Sequence, residues 1–371
     1  MTRRYLDHAS TSPARPEVVE AMLPWLTGER AADPGRVHTE GRMARAAVED
    51  ARERVAALLG ARPREVVFTS GATEAINAAV FGSVETTGKR RIVAPAVEHS
   101  AVLDASARHD LVRVRVDGVG RVDAGDVLAA ITADTALVHV QWGNHEVATL
   151  QPVAEVVAAC RAEGVLVHVD AAQAAGHVGI DLAALGADLV SVSAHKLGGP
   201  KGIGALVVRR GIRLAPLLVG GEQERARRGG IENVPAIVGF GQAADTLATA
   251  LPLEVAAQRR LTDRVLDAAA TWRGVRVYGD PTERLPHIVC LGVDGVEAEA
   301  VLLGLDQAGV AAHSGSACSS ESLEPSPVLE AMGVEAERSL RVSVGWSTTD
   351  QDVDAFCSAF PSVVDRLRAL R

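Results

Sequence analysis

Short apolar runs alternate with stretches of helical spacing through the first half of the chain. The runs are four to eight residues long and rich in valine and isoleucine, which is typical of buried strands. Strands that alternate with helices predict βαβ units and a mostly parallel sheet. The strands predicted in this way span residues 65–70, 91–96, 111–117, 136–142, 165–170, 188–195 and 204–210.

Apolar residues three and four positions apart predict the intervening helices. These helices span residues 46–59, 73–81, 99–109 and 153–163, and Asp123 is a predicted N-cap for a further short one. An alanine-rich stretch over 239–272 predicts a long helix that Pro252 could break. After it, strands and helices follow a different order, with strand patterns in HIVCLGV and SLRVSVGW, which predicts a smaller α+β unit.

Composition and charge exclude several classes of protein. The 371 residues carry a net charge of -9 and no basic block, so nucleic acid is not an expected partner. The sequence contains no run of 18 apolar residues, so we expect no membrane span. The polar N-terminus shows no secretory signal, so we expect a cytoplasmic protein. The four cysteines are widely spaced without a CxxC pair, which argues against a zinc ribbon or a disulfide framework.

Amines are scarce, since only three of the 38 basic residues are lysines. Lys196 directly follows a predicted strand and precedes glycines, where its amine could reach a ligand and form a Schiff base with a carbonyl compound. Lys201 lies in the next turn and is expected to support structure. The alternative for Lys196 is a solvated lysine at a strand end.

Asp170 ends another predicted strand, and ligands of parallel sheets lie at these carboxyl ends. A buried aspartate needs a partner, which a pyridinium nitrogen would supply, although the carboxylate could instead cap the next turn. Ala72 and Thr73 begin a helix after a strand and could bind an anion, or form an ordinary turn. His99 could stack on a flat ring or cap its helix, and Arg341 could clamp a carboxylate or form a surface ion pair.

Cys318 lies in a segment of serine, glycine and alanine, HSGSACSSESLEPS, that cannot pack a core. Cysteines are usually buried, so an exposed one suggests a reactive thiol. The other three, Cys160, Cys290 and Cys357, lie in predicted helices or a strand and are expected to be inert.

In order along nearly the whole chain, these motifs resemble those of the class V aminotransferase family, and within it the cysteine desulfurases. The matching segments are YLDHASTSP, GRVHTEGR, REVVFTSGATEAIN, VEHSAVL, HVDAAQ, SAHKLGGPKGIGAL, RRGGIENVP, SGSACSS with SLEPS, and LRVSVGW. The downstream SLEPS resembles the long-loop branch, whose members pass sulfur to scaffold proteins.

The resemblance implies the α/β fold type I of pyridoxal-phosphate-dependent transferases. This fold has a large domain, expected over 15–255, around a mostly parallel seven-stranded sheet. A smaller α+β domain is expected over 1–14 and 256–371. The resemblance also implies a homodimer that converts L-cysteine to L-alanine and passes sulfur, as a persulfide on Cys318, to an acceptor protein or biosynthetic enzyme.

The resemblance further implies a role for each matching residue. Lys196 is the Schiff-base lysine and takes the substrate's α-proton, Asp170 pairs with the pyridine nitrogen, Gln173 contacts the phenolic oxygen, and His99 stacks on the ring and takes part in catalysis. The phosphate is held by Ala72, Thr73, Ser193 and His195. Arg341 binds the substrate carboxylate, and Cys318 is the nucleophile.

Two positions depart from the family pattern. Where the family has asparagine beside the ring oxygen and the substrate, this chain reads Asn144-His145-Glu146, and either Asn144 or His145 can serve there. Ile231 stands where the family commonly has a threonine that binds the phosphate across the dimer, so we expect weaker cofactor retention.

Three other functions stay open at this stage. A selenocysteine lyase and a carbon–sulfur lyase that needs no cysteine would share the cofactor chemistry. A non-catalytic partner subunit of a sulfur-transfer complex would need none of it. The pathway that receives the sulfur is not identified by the sequence.

Overall fold

The computed structural model describes residues 3–28, 30, 32–314 and 325–370. Its strands are β1 (Arg4–Tyr5), β2 (Val66–Thr69), β3 (Arg91–Pro95), β4 (Asp110–Val114), β5 (Thr135–Gln141), β6 (Leu166–Asp170), β7 (Leu189–Ser193), β8 (Gly204–Val208), β9 (Val275–Tyr278), β10 (Ile288–Val293), β11 (Val310–Ala311) and β12 (Ser339–Ser343). Its helices are α1 (Pro16–Leu26), α2 (Thr39–Leu58), α3 (Ala72–Thr87), α4 (Ser100–Ser106), α5 (Ala124–Ala130), α6 (Val153–Ala162), α7 (Leu182–Leu185), α8 (Gln223–Ala226), α9 (Val234–Ala269), α10 (Ala298–Gln307), α11 (Pro327–Ala331) and α12 (Asp350–Ala369).

Seven strands form the central sheet in the order β2-β8-β7-β6-β5-β3-β4. Only β8 runs antiparallel to its neighbours, and the other pairings are parallel. The predicted α/β class with a mostly parallel seven-stranded sheet is therefore confirmed. Every residue of β5, β7 and β8 is buried, as expected for strands that are covered by helices on both faces.

Small residues allow the helices to pack closely in a chain with few aromatic side chains. A Cβ atom at Gly241 of α9 would lie 2.6 Å from the Cβ of Ala51 in α2, so a larger residue at 241 would push these helices apart. Helix α9 is one element of 36 residues that contains Pro252, so the break considered for that proline does not occur. It begins at Val234, earlier than predicted, because the Asn233 side chain caps it. Among the described residues, no helix is both long and apolar enough to cross a bilayer.

The later part of the chain builds a separate apolar cluster around a three-stranded antiparallel sheet, ordered β12-β10-β9. Phe356 and Phe360 of α12 pack in this cluster with Val301 of α10. The N-terminal strand β1 pairs in parallel with β11, so the start of the chain is attached to this later unit. The domain boundaries stated above stay a prediction.

Two histidines contact each other inside the central sheet. His139 of β5 and His168 of β6 are fully buried neighbours, and their Nδ1 atoms lie 2.9 Å apart. One Nδ1 must donate and the other accept, so the accepting ring is neutral. Burial lowers the pKa of His139 to about 3, and burial followed by the charge of His139 lowers the pKa of His168 well below its usual value.

This pair predicts a loss of stability in acid. Because the folded state keeps both imidazoles neutral while the unfolded chain protonates them below about pH 6.5, the free energy of unfolding falls as the pH drops. Between about pH 7.5 and pH 5 the loss is about 2 kcal/mol for His139, whose pKa in the folded state is about 3, and His168 changes stability in the same direction. Denaturant unfolding at a series of pH values measures the free energy of unfolding of the wild type and of a His139→Leu/His168→Leu variant, and the variant should lose less stability in acid. Parallel pH profiles for the two proteins would contradict the assignment.

Candidate active site

A cavity of about 440 Å³ lies at the carboxyl ends of β5, β6 and β7, beside the N-terminus of α3. This is where a sheet of this topology binds ligands. Nine of the residues singled out in the sequence line its wall: Ala72, Thr73, His99, His145, Asp170, Gln173, Ser193, His195 and Lys196. Asn144 and Arg341 do not line it but lie beside His145, and Cys318 lies outside the described residues.

Lys196 is placed at the cavity by a single 3₁₀ turn that follows β7. Its Nζ donates to the carbonyl oxygens of Ala9 and Ser10, the second at 3.0 Å. The side chain is half-buried, so the amine is held at the wall by the N-terminal segment and does not extend into solvent as a surface lysine would.

Asp170 is the last residue of β6, and hydrogen bonds from its neighbours reach one of its two carboxylate oxygens. Its Oδ1 accepts from the Ala172 amide at 3.0 Å and from the Ser191 hydroxyl at 3.1 Å, and Oδ2 accepts from no side chain or amide of the described residues. Glu98 is fully buried close by, and burial together with the charge of Asp170 raises its pKa well above the usual value. Burial and the neighbouring carboxylate thus favour the protonated form of Glu98.

The N-terminus of α3 offers backbone amides that can bind an anion. The first amides of a helix have no intrahelical acceptor, and no described side chain caps this one. Gly71 precedes the helix and packs so closely on Gly204 that a Cβ at Gly204 would lie 2.7 Å from the Cα of Gly71. Two glycines thus bring the helix terminus against the start of β8, with Thr73 on the cavity wall.

Ser193 and His195 border the same end of the cavity. The Nδ1 of His195 lies 3.1 Å from the Thr11 hydroxyl. Burial, followed by the charges of Lys196 and Lys201, lowers the pKa of His195 to about 4. The neutral ring can therefore donate one N–H without adding charge.

His99 and His145 approach each other edge to face on the cavity wall, with ring centroids 5.1 Å apart. His99 caps α4 by accepting from the Ala101 amide at 3.1 Å, so it fulfils the capping role considered for it while also lining the cavity. Burial, followed by the charges of His99, Arg341 and Lys196, lowers the pKa of His145 well below its usual value.

Asn144 turns away from the cavity and holds the local turn. Its Oδ1 accepts from the amides of Glu146 and Val147, both at 2.8 Å, and its Nδ2 donates to the Val97 carbonyl oxygen at 3.1 Å. Backbone groups thus engage both the oxygen and the nitrogen of the amide. Of the two residues left open by the sequence, His145 faces the cavity.

Arg341 of β12 is fully buried, so the surface ion pair considered for it is wrong. Its Nη1 donates to the His145 carbonyl oxygen at 2.8 Å, and its Nη2 donates to Asp7 at 3.0 Å and Ser10 at 2.7 Å. Its Nε has no partner among the described residues. The guanidinium therefore retains an unused donor directly behind the wall.

The segment that contains Cys318 is flanked by two anchored residues. His313 pairs with Arg341 through backbone hydrogen bonds on one side. On the other side, the Ser326 hydroxyl donates to the buried carboxylate of Glu146 at 2.6 Å and caps α11. Both anchors therefore connect to residues that adjoin His145.

The three cysteines that the structure describes are poor nucleophiles. Burial raises the pKa of Cys160 to about 12, and it raises the pKa of Cys290 and of Cys357 as well. A thiolate forms at none of them near neutral pH.

The wall also contains residues that were not predicted, among them Thr11, Gln141 and Lys201. Thr11 carries no local signal, because its position depends on contacts between distant segments, whereas Gln141 lies at the carboxyl end of β5. Lys201 was expected only to support structure, yet it lines the cavity and lowers the pKa of His195. Its place in the glycine-rich turn after Lys196 was the signal that could have identified it.

The chain is similar to known proteins along nearly its whole length. The profile of the family described as Aminotransferase class-V matches residues 4–356. A cysteine desulfurase of Trichormus azollae is 42% identical over 376 residues, covering 99% of this chain and 94% of that protein. Cysteine desulfurase IscS 1 of Archaeoglobus fulgidus is 39% identical, covering 99% and 98%. A solved structure described as a NifS-like protein has a TM-score of 0.92 at 31% identity, covering 99% of this chain and 100% of its own.

The family profile covers nearly the whole chain, and the two curated relatives are similar along their full length. This chain therefore belongs to the class V aminotransferase family.

Proposed function

We propose that this protein is a pyridoxal-phosphate-dependent cysteine desulfurase that transfers sulfur from L-cysteine to Cys318. The observation that supports it most is the convergence of Lys196, Asp170 and the N-terminus of α3 on one cavity, in a chain whose relatives carry that name. An amine, a carboxylate and an anion site are the three groups that the aldehyde, the pyridine nitrogen and the phosphate of this cofactor need.

The described residues fit the cofactor. The uncapped amides of α3 with Thr73, Ser193 and His195 would hold the phosphate, and the available Oδ2 of Asp170 would pair with the ring nitrogen. Lys196 would hold the aldehyde carbon, and His99 would stack on the ring. When bound, pyridoxal phosphate withdraws electrons from the substrate's α-carbon and so makes its proton removable.

Lys196 would then move that proton. Its Nζ lies on the wall and donates to the carbonyl oxygens of Ala9 and Ser10, which orient the amine. Arg341 would bind the substrate carboxylate through its remaining donors, with Asp7 and Ser10 fixing the guanidinium plane.

Cys318 is the proposed nucleophile. Its thiolate would attack the sulfur of the substrate, so that a sulfur–sulfur bond forms and the carbon–sulfur bond breaks. Cysteine plus the Cys318 thiol thus give alanine plus a persulfide, and the carbon takes up the electrons that the sulfur atoms lose. Support comes from the raised pKa of the three described thiols and from the anchoring of both flanking residues beside His145.

His145 is proposed to take the position beside the ring oxygen and the substrate, since it lines the cavity while the oxygen and nitrogen of the Asn144 amide bind backbone groups. Its lowered pKa makes it a neutral hydrogen-bonding group and not a proton donor. We further propose a homodimer in the cytoplasm, with Ile231, whose side chain is 65% exposed in the single chain, facing the partner's phosphate site. An acceptor protein or biosynthetic enzyme would take the persulfide sulfur.

Replacing the proposed nucleophile tests the function. With L-cysteine, pyridoxal phosphate and a thiol, the wild type should release alanine and sulfide in equal amounts. Cys318→Ala should lower alanine formation by about 100-fold or more, because the sulfur then lacks its acceptor. The matched control, Cys357→Ala, should keep wild-type turnover. A Cys318→Ala protein that retains its turnover would identify a plain carbon–sulfur lyase, and a wild type that gives no alanine would reject the function.

The role of His145 is tested by a pair of substitutions. His145→Asn keeps a neutral hydrogen-bonding group and should stay within about threefold of wild-type kcat/KM, whereas His145→Leu should lose about tenfold or more. The pH profile of alanine formation should keep the same acidic limb in His145→Asn, because the wild-type imidazole does not titrate there. A displaced acidic limb would show that His145 transfers protons.

Ile231 tests the proposed dimer contact to the phosphate. Ile231→Thr should lower the dissociation constant of pyridoxal phosphate by about three- to tenfold, since one hydrogen bond to a charged group is gained. The control Ile231→Val introduces a side chain of the same shape as threonine but without the hydroxyl. It should leave the dissociation constant of pyridoxal phosphate at the wild-type value. Equal constants for Thr and Val would refute the contact.

A further inference from the structure

Three buried histidines lie together behind the cavity. His8, His177 and His287, here called the histidine cluster, come from the N-terminal segment, the turn after β6 and the residue before β10. None of them lines the cavity among the described residues, and none is needed by the function proposed above. They join three distant parts of the chain directly behind Gln173 and Lys196.

The rings of His177 and His287 are stacked. Their centroids are 3.5 Å apart and their planes differ by 12°, so each fixes the plane of the other. The His177 ring is itself held by hydrogen bonds to the Gln258 side chain at 2.9 Å and to the backbone of Lys196. The His287 ring is therefore held in one orientation, in which its Nε2 atom faces the side chain of Gln173.

The orientation of the Gln173 amide follows from its two partners. One amide atom lies 2.7 Å from the Ala9 carbonyl oxygen, which can only accept, so that atom is the nitrogen. The Oε1 atom then lies 3.3 Å from Nε2 of His287. Because Oε1 can only accept, Nε2 of His287 must carry the proton. Its Nδ1 is then a bare lone pair, which agrees with the absence of any partner for it among the described residues.

This arrangement has a consequence for the cavity. The Gln173 nitrogen has two hydrogens, and Ala9 accepts only one of them. The second remains on the cavity side, because Gln173 lines the wall while its oxygen is held toward His287. Without the His287 donor, the Gln173 oxygen would lose its partner among the described residues, and the amide would no longer be held in this orientation.

We propose that His287, fixed by its stack on His177, is a positioning residue that holds the Gln173 oxygen away from the cavity and so presents the Gln173 N–H to the cofactor's phenolic oxygen. The inference rests on the proposed function for the role of Gln173.

The electrostatic surroundings support a neutral donor. Burial, followed by the charges of His177, His8, Lys196 and Arg341, lowers the pKa of His287 well below its usual value. The pKa of His177 is lowered mainly by burial, and that of His8 is lowered to about 4. The cluster therefore supplies hydrogen bonds near Lys196 without adding positive charge.

The test compares two replacements of His287 in the holoenzyme. His287→Gln places an amide nitrogen close to the position of Nε2 and keeps the donor, whereas His287→Leu removes it. A donor to the phenolic oxygen stabilises its negative form and lowers the pKa of the bound chromophore. His287→Leu should therefore raise that pKa, measured by absorbance, by about half a unit or more, a threefold change in the proton equilibrium. His287→Gln should leave it near the wild-type value.

A double-substitution cycle separates positioning from a general structural effect. In a Gln173→Ala background, His287→Leu should no longer move the chromophore pKa, because the group that it positions is absent. The dissociation constant of pyridoxal phosphate, measured by equilibrium dialysis, should rise in His287→Leu and not further in the double variant. Equal shifts in both backgrounds, or an unchanged pKa in His287→Leu, would overturn the proposal.

Two further variants keep the proposal testable if His287→Leu fails to fold. His177→Phe preserves a flat ring for stacking and should leave the chromophore pKa unchanged, whereas His177→Ala frees the His287 ring and should raise it. The opposite order would overturn the proposal. None of these readouts requires alanine formation, so a failure of the desulfurase assignment would appear only in the alanine assay.

Discussion

The carbonyl oxygen of Ala9 is the contact on which the site depends. It accepts hydrogen bonds from both Lys196 Nζ and Gln173 Nε2. Lys196 follows strand β7 and Gln173 follows strand β6. The neighbouring residues of the same segment extend this effect, since Asp7 and Ser10 bind Arg341. A short, irregular N-terminal segment thereby fixes the amine, the amide and the guanidinium relative to one another. A shift of this segment would disturb all three together.

The same segment connects the two packed units of the chain. Strand β1 pairs with β11, and the bridge of Asp7 with Ser343 continues that attachment to β12. Further on, the Ser12 amide donates to the His195 carbonyl oxygen, at the end of the central sheet. Arg341 reaches the cavity wall from the later unit, and His287 reaches Gln173 from the same side. The site is thus built at a junction, where many binding sites occur.

Sequence reasoning succeeded where the signal is local. Valine-rich runs predicted the strands within one or two residues at most ends, and Lys196 and Asp170 could be located because each directly follows such a run. Helix boundaries were less accurate where a cap decides them. Helix α2 begins at Thr39, well before the predicted start, because the His38 side chain accepts from the Gly41 amide.

Sequence reasoning failed where a side chain's environment comes from distant residues. The burial of Arg341 depends on Asp7 and Ser10, more than 300 positions away in the chain. The choice between Asn144 and His145 depends on backbone amides that only the folded turn supplies. The role of His287 could not be read from its strand pattern, because its partners His177 and Gln173 belong to another element.

Mass spectrometry of the holoenzyme after one equivalent of L-cysteine, without reductant, tests the central claim most directly. The account predicts that the peptide containing Cys318 gains the mass of one sulfur atom while one equivalent of alanine appears. An unmodified Cys318 peptide, with the sulfur released directly as sulfide, would contradict it.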